Sequence, residues 1–214
     1  MRLLLARHGA TLNNVEARYT GQTDVPLSPL GERQAEALAQ RLARGPLAAI
    51  VSSDLARARA TADAVSRRTG LPVTLDADLR EVSLGAWEGR TLADLEVREA
   101  DALRRWRADG ATFAPPGGET FTALRDRLLR ALARTVDRYP GETVLWVTHG
   151  AAIGVLLCHV VGIELSRGWQ FRRDNASITE LDVAVGRTVI ARLNDTAHLA
   201  GVTDDGEVER FQVM

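Results

Sequence analysis

Residues Arg2–Asn14 read RLLLARHGATLNN. Leu3–Ala6 is a short, continuous apolar run, the pattern of a strand covered on both faces, so Arg2–Ala6 is expected as a first, buried strand. The run ends in Arg7, His8 and Gly9: a cation, an imidazole and a residue without a side chain. A second apolar run, TVLWVT at Thr143–Thr148, ends the same way in His149-Gly150. The chain has only four histidines, and two of them stand at strand ends with glycine next.

Working outward, a polar loop follows the first strand as far as Pro26. Ser28 and Pro29 then mark a helix start, serine as cap and proline at the first helical position. Ala35, Leu38, Ala39 and Leu42 continue at helical spacing. The run AAIVSS reads as a second strand, and Asp54 is the expected cap of a helix stopping near Gly70. LPVTL at residues 71–75 is a third strand. Thr91 with Asp94 has the capping-pair spacing and opens one polar helix toward RRWRADG; APPGGE interrupts, and another helix runs from about Thr120 to Tyr139. TVLWVTHG is a central strand by composition. A helix through Val161 follows it, and SITELDVA and TVIARLN make two strands joined around Gly186.

Strands alternating with helices predict an α/β fold: a three-layer αβα sandwich around a mostly parallel central sheet. Functional groups in such sheets gather at the carboxyl ends of the strands. Arg7, His8 and His149 all fall there. Ser52 and Ser53 follow the second strand, with Arg57 in the first turn of the next helix, and Glu81 comes shortly after the third strand.

The totals narrow the function. A length of 214 residues and 45% hydrophobic composition suit one domain with a substantial core. A net charge of -1 offers no bulk attraction to nucleic acid or anionic membrane. All 27 basic residues are arginine, which removes Schiff-base and P-loop lysine chemistry but leaves the planar fork suited to phosphate. Cys158 is the single cysteine, placed in an apolar run and expected to be buried. The longest apolar stretch, around Ala151–Ile163, is too short to span a bilayer, so a cytoplasmic protein without membrane partner is expected.

A neutral imidazole is a nucleophile near pH 7 without a base to activate it. At a strand end it can give one ring N–H to a backbone carbonyl and aim the other nitrogen outward, and Gly9 is expected to leave room for the incoming group. A phosphate monoester brings nearly two negative charges, which Arg7, Arg57 and a protonated His149 can neutralise. Glu81 can protonate the departing alkoxide and then activate water; Glu88 and Asp78 are the neighbouring carboxylates for that role if Glu81 does not take it. The scheme calls for no metal and no cofactor.

At these residues the sequence resembles the histidine phosphatase superfamily, the phosphoglycerate-mutase-like group, over nearly the whole chain. The matching motifs are RHGATLNN with Arg7, His8, Thr11 and Asn14; TGQTDVPLSPLGERQA with Thr20, Gly21, Asp24, Leu27, Gly31 and Gln34; SSDLARARATA with Arg57; LREVSLGAWEG with Glu81; and VTHG with His149. NASIT and NDTAHL are similar to segments of the phosphatase members. The resemblance implies His8 as the phosphorylated nucleophile, Arg7, Arg57 and His149 as the phosphate pocket, Glu81 as proton donor, and Asn14, Thr20, Gly21 and Gly150 as pocket lining. It implies one histidine-phosphatase domain over residues 1–214, with a helical cap-like segment at about 82–120. The activity implied is that of a histidine acid-phosphatase-type phosphomonoester hydrolase acting on a small phosphorylated metabolite, and homodimers are common in the family.

The competing branch is phosphoglycerate mutase, which passes the phosphoryl group through the same phosphohistidine. The sequence departs from the mutase pattern at Leu84, where a tyrosine is usual, and at Ala151, where an asparagine is usual. The stretch between Trp87 and Gly117 is also short and lacks the arginine pair followed by prolines. Among phosphatases the substrate stays open between sugar phosphates, phosphoglycerate derivatives and α-ribazole phosphate; WRADGATFAPPGGET leans toward a glucosyl-3-phosphoglycerate phosphatase, and Arg104, Arg105 and Arg107 either meet an acidic substrate group or form a solvated face. A metallohydrolase would use His8, His149, Glu81 and Asp24, without metal-site spacing to support it. A non-catalytic binding module would be expected to lack a pocket residue, and all are present. No basic stripe or aromatic platform suits nucleic acid.

Overall fold

A computed structural model describes residues 1–202; the last twelve residues of the expected 1–214 domain lie outside the described part. Six strands form one sheet: β1 (Arg2–Arg7), β2 (Ala49–Ser52), β3 (Val73–Leu75), β4 (Thr143–Thr148), β5 (Ile178–Ala184) and β6 (Arg187–Asp195), in the order β3-β2-β4-β1-β5-β6. β1, β2, β3 and β4 pair in parallel, while β5 and β6 join the β1 edge antiparallel.

Strand alternation builds the three layers. Leu3 and Leu5 of β1 and Val144 and Trp146 of β4 enter one core, covered by α6 (Phe121–Arg138) and α7 (Gly150–Val161). Leu4, Ala6, Leu145 and Val147 enter a second core, under α2 (Pro29–Leu42) and α3 (Ala56–Thr69). The indole of Trp146 is wholly buried and donates to Thr135 Oγ1 of α6 at 3.1 Å, so its polar edge is satisfied inside the first core.

Ser28 caps α2 by accepting the Gly31 N–H at 3.1 Å, with Pro29 at the start, and Gly70 closes α3 in the left-handed region at φ 74°. Three local expectations change. The polar loop after β1 contains a one-turn helix, α1 (Leu12–Val15), capped by Thr11 and Asn14. Asp54 does not cap α3, which starts at Ala56 with Leu55 in the cap position and no side-chain cap; the Asp54 carboxylate pairs instead with the Arg80 guanidinium. The single helix expected after Thr91 is two, α4 (Leu92–Arg98) and α5 (Ala100–Asp109), broken at Glu99. Leu95 of α4 and Leu103 and Trp106 of α5 are buried in the α6/α7 core. No helix of the described residues is long and apolar enough to cross a membrane.

Candidate active site

The parallel register sets the two histidines side by side. Arg7 of β1 pairs with Thr148 of β4, and the His8 N–H donates to the Thr148 carbonyl at 3.0 Å. The next residues, His8 and His149, are therefore separated by about one strand spacing, roughly 4.8 Å, and their ring centroids lie 5.1 Å apart. β2 continues the row. Ser52 pairs with Val147, the Ser53 N–H bonds the Val147 carbonyl at 2.9 Å, and Ser53 Oγ meets His149 Nε2 at 2.8 Å. Ser52 turns away, its hydroxyl donating to the Ser53 carbonyl.

His8 is nearly fully buried, yet lines a cavity of about 330 Å³. Its Nδ1 lies 2.7 Å from the Gly9 carbonyl, so the ring proton is assigned to Nδ1, and Nε2 carries a lone pair that accepts the Arg57 Nε–H at 3.2 Å. Burial, with Arg57 and Arg7 adding to it, holds this imidazole well below its usual value and therefore neutral. Gly9 meets a different need from the one expected. A Cβ there would collide with the Gly31 carbonyl, and one on Gly31 would collide with the Ala10 carbonyl. The two glycines let the His8 loop cross against the N-terminus of α2.

Arg57 is fully buried, donating to the Thr23 carbonyl at 3.0 Å and the Gly21 carbonyl at 2.7 Å, which aims its fork at His8. Gly21 (φ +53°) sits where a Cβ would strike Glu88. The Glu88 carboxylate accepts the Gln22, Thr23 and Leu84 N–H groups and fastens this loop. Arg7 Nη1 donates to the Arg173 carbonyl at 2.6 Å, while its buried Nε has no partner.

His149 is fully enclosed behind His8, outside the cavity wall. Its expected protonation is not what the fold favours: burial first, then Arg57, His8, Arg127 and Arg7, hold it well below its usual value. Ser53 Oγ accepts the Leu55 N–H at 3.3 Å, so its own hydrogen is assigned to His149 Nε2. The neutral ring then carries its proton on Nδ1, which has no partner. Buried donors without acceptors cost about 1–3 kcal/mol each. Two of them, Arg7 Nε and His149 Nδ1, sit on residues flanking His8, as an anion site requires.

Glu81 lines the cavity across from His8, at the N-terminus of α7. Its Oε2 accepts the Ala151 N–H at 3.0 Å, and its Oε1 accepts the Ala152 and Val82 N–H groups at 3.1 and 2.9 Å. Its carbonyl is gripped by Arg127 Nη2 at 2.8 Å and Gln22 Nε2 at 3.0 Å. Gly150 lies between, 3.5 Å from the Arg7 guanidinium and 3.7 Å from Glu81 Oε2 when given a Cβ. Asn14, Thr20 and Gly21 line the same cavity.

All nine expected site residues thus converge, eight on the cavity wall and His149 directly behind it. The alternative acids do not: Asp78 is tied to Arg130 and Arg134, and neither it nor Glu88 reaches the cavity. Asp24 is also occupied, accepting the Ala56 N–H at 2.7 Å, and among the described residues no group of three His, Cys, Asp or Glu side chains is placed to hold a metal. His159 is exposed on α7, and Cys158 is buried, its thiol pushed up to about 11 by burial.

Three residues were not picked out as site residues from the sequence. Asn175 Nδ2 donates to the His8 carbonyl at 3.0 Å and to Asn14 Oδ1 at 3.3 Å, tying β5 to the histidine loop. Arg127 holds the Glu81 segment through the Asp78, Arg80 and Glu81 carbonyls. Arg173 lines the cavity, with burial drawing its guanidinium down to about 10. Asn175 stood in the NASIT motif without a role; the two arginines are among 27 basic residues, and nothing in their spacing separates them from surface charge.

The family model of the histidine phosphatase superfamily (branch 1) matches residues 3–196. The chain belongs to this superfamily. It is 32% identical over 199 residues to phosphoserine phosphatase 1 of Hydrogenobacter thermophilus, covering 93% of this chain and 94% of that protein. It is 33% identical over 205 residues to the probable phosphoglycerate mutase GpmB of Salmonella choleraesuis, covering 93% and 95%. The solved mycobacterial glucosyl-3-phosphoglycerate phosphatase Rv2419c, in complex with VO3, superimposes with a TM-score of 0.84 at 36% identity, over 91% of this chain and 99% of that one. The first curated relatives, from Mycobacterium, are 38% identical over 200 residues, and the match spans 55% of their length. The fold is that of histidine phosphatases, as the motifs implied.

Proposed function

We propose that this histidine phosphatase superfamily member hydrolyses small phosphomonoesters through a phosphohistidine on His8. One observation carries the reading: the neutral His8 ring, its proton engaged by the Gly9 carbonyl, presents Nε2 to a cavity flanked by the Arg7 and Arg57 guanidinium groups. His8 Nε2 attacks phosphorus and the ester P–O bond breaks. The Arg57 N–H now on Nε2 moves to a phosphoryl oxygen, and Arg7 Nε and His149 Nδ1 supply further donors to the developing charge. Glu81 gives its proton to the leaving oxygen, then takes one from the water that attacks the phosphohistidine and releases phosphate. Asn14 and the Thr20-Gly21 turn line the site, and Gly150 leaves space between Arg7 and Glu81. No step requires a metal.

The depressed His8 and His149 values support an enzyme of the acid-phosphatase type, because the nucleophile stays unprotonated in mildly acidic solution. The domain reading extends in the same way. Trp106 and Arg107 of α5 reach the cavity while Leu95 and Leu103 anchor in the α6/α7 core, which supports residues 82–120 as a cover built into one domain. Leu84 lines the cavity where the mutase pattern has a tyrosine, which supports hydrolysis over mutase transfer.

Rapid quenching with a 32P-labelled alkyl phosphate should trap an acid-labile phosphoenzyme. His8→Ala should abolish both the label and turnover; normal turnover in that variant would overturn the mechanism. Activity that depends on a bisphosphoglycerate primer and exceeds hydrolysis would assign the mutase branch instead.

A further inference from the structure

Three successive peptide units after His8 are each fixed by a different partner. In the His8–Gly9 unit the Gly9 N–H donates to Thr61 Oγ1 at 3.1 Å, and the Thr61 hydroxyl donates in turn to the Arg57 carbonyl at 2.8 Å. In the Ala10–Thr11 unit the Ala10 carbonyl accepts the Ser28 N–H at 2.9 Å and the Ser28 hydroxyl at 3.1 Å. Between them lies the Gly9–Ala10 unit. Its carbonyl is the acceptor for His8 Nδ1 at 2.7 Å, and its N–H donates to Gln34 Oε1 at 2.8 Å. Gln34 stands on α2, three residues beyond Gly31, and is not part of the cavity wall. It lies in the GERQA stretch, and no step of the mechanism above uses it.

A trans peptide unit points its C=O and N–H in opposite directions, so whatever grips one end sets the direction of the other. Gly9 has no side chain to restrict its torsions, so this plane needs a hold from outside. Gln34 provides it: with Oε1 on the Ala10 N–H, the Gly9 carbonyl faces the His8 ring. An acceptor on the N–H also polarises the unit and makes its carbonyl a stronger acceptor. The amide orientation follows from the chemistry, since a backbone donor is met only by the side-chain oxygen. The consequence lies on the far side of the ring. Only an imidazole with its proton on Nδ1 has a bare Nε2 to accept the Arg57 Nε–H and to attack phosphorus. Resting on the phosphatase reading for what Nε2 attacks, we propose that Gln34 is a positioning residue that holds His8 in its nucleophilic tautomer through the Gly9–Ala10 peptide.

The test reads tautomer and rate together. In neutral solution, 15N NMR of histidine-labelled protein should show His8, assigned by the loss of its signals in His8→Asn, with a protonated Nδ1 and a bare Nε2. Gln34→Met keeps the length and removes the acceptor. It should populate the second tautomer, with the proton on Nε2, and lower kcat by about 10–100-fold with a smaller change in KM. Gln34→Glu keeps an acceptor and should retain the wild-type tautomer and most of kcat. A proton on Nε2 in the wild type overturns the proposal. So does a methionine variant with the wild-type tautomer, whatever its stability, because a purely structural residue would lower the melting temperature and leave the proton where it is. A glutamate variant as impaired as the methionine one overturns it too. If the methionine variant does not fold, Gln34→Asn, which draws the amide back by one methylene, must show the same tautomer shift, and wild-type behaviour there is the overturning result. The tautomer is read without substrate, so failure to label His8 in the wild type would remove the phosphatase reading alone, whereas an unmoved tautomer removes only the role of Gln34.

Discussion

The Glu81 carboxylate is held by three backbone N–H groups within reach of Gly150, and in the proposed mechanism it protonates the leaving ester oxygen. General acid help is worth about 10²–10⁴-fold, and only where the leaving oxygen is a strong base. Glu81→Gln should therefore slow phosphoenzyme formation by orders of magnitude with an alkyl phosphate, and far less with a nitrophenyl phosphate. Stopped-flow measurement of that step separates this role from the later base role; equal slowing with both substrates would remove Glu81 as the acid. Ser53 acts through His149. Without its hydroxyl nothing fixes the His149 tautomer, so Ser53→Ala should lower kcat about tenfold or more with a smaller change in KM, and Ser53→Thr should restore part of it. An unchanged kcat would show that the ring does not need its partner. His8, Arg7 and His149 were legible because each ends an apolar run. The neutral state of His149 was not, since it follows from the cations that other segments bring around it.

Several elements announce their own ends. Ser28-Pro29, Gly70 and the Thr91/Asp94 pair cap as their residue types require, and such signals are local. Thr91→Ala should cost about 1 kcal/mol in urea unfolding, the usual worth of a capping side chain. The crossing of the His8 loop over α2 is a stronger constraint. A methyl group at Gly31 has only the Ala10 backbone to enter. Gly31→Ala should therefore destabilise the protein by roughly 2 kcal/mol or more and reduce activity, because the same backbone carries His8; a neutral result in both assays would refute the close approach. Where the sequence misled, a distant partner intervened. Asp54 stands at a cap position but is claimed by Arg80, 26 residues away. None of Val97–Asp101 is a glycine or proline, so the break at Glu99 had no residue to mark it.

For the molecule as a whole, the buried histidines set a pH dependence of stability. In the unfolded chain each imidazole takes up a proton as pH falls through 6.5, whereas burial and the surrounding arginines oppose protonation of His8 and His149 in the folded chain. The unfolded state binds more protons, so the stability is fully present above 6.5 and is lost as pH falls below it, by up to about 1.4 kcal/mol per pH unit for each ring. The depressed carboxylates, such as Asp54 and Asp78 with ordinary values of 3.8, act in a lower window. Urea unfolding between pH 7 and 5 should show the slope, and His149→Asn should reduce it by one ring's share; a flat profile would mean that both rings protonate freely in the fold. The alternation of apolar residues, the helix caps and the two strand-end histidines are properties of short segments, so the sequence alone determined the αβα architecture and marked His8 and His149 as strand-end residues. Only the tertiary structure decided that Arg7 Nε and His149 Nδ1 are buried without partners beside His8, why Gly9 and Gly31 must lack side chains, and how Asn175, Arg127 and Arg173 join the site. Those facts depend on which distant segments come within a few ångströms of each other, and strand order and register set that.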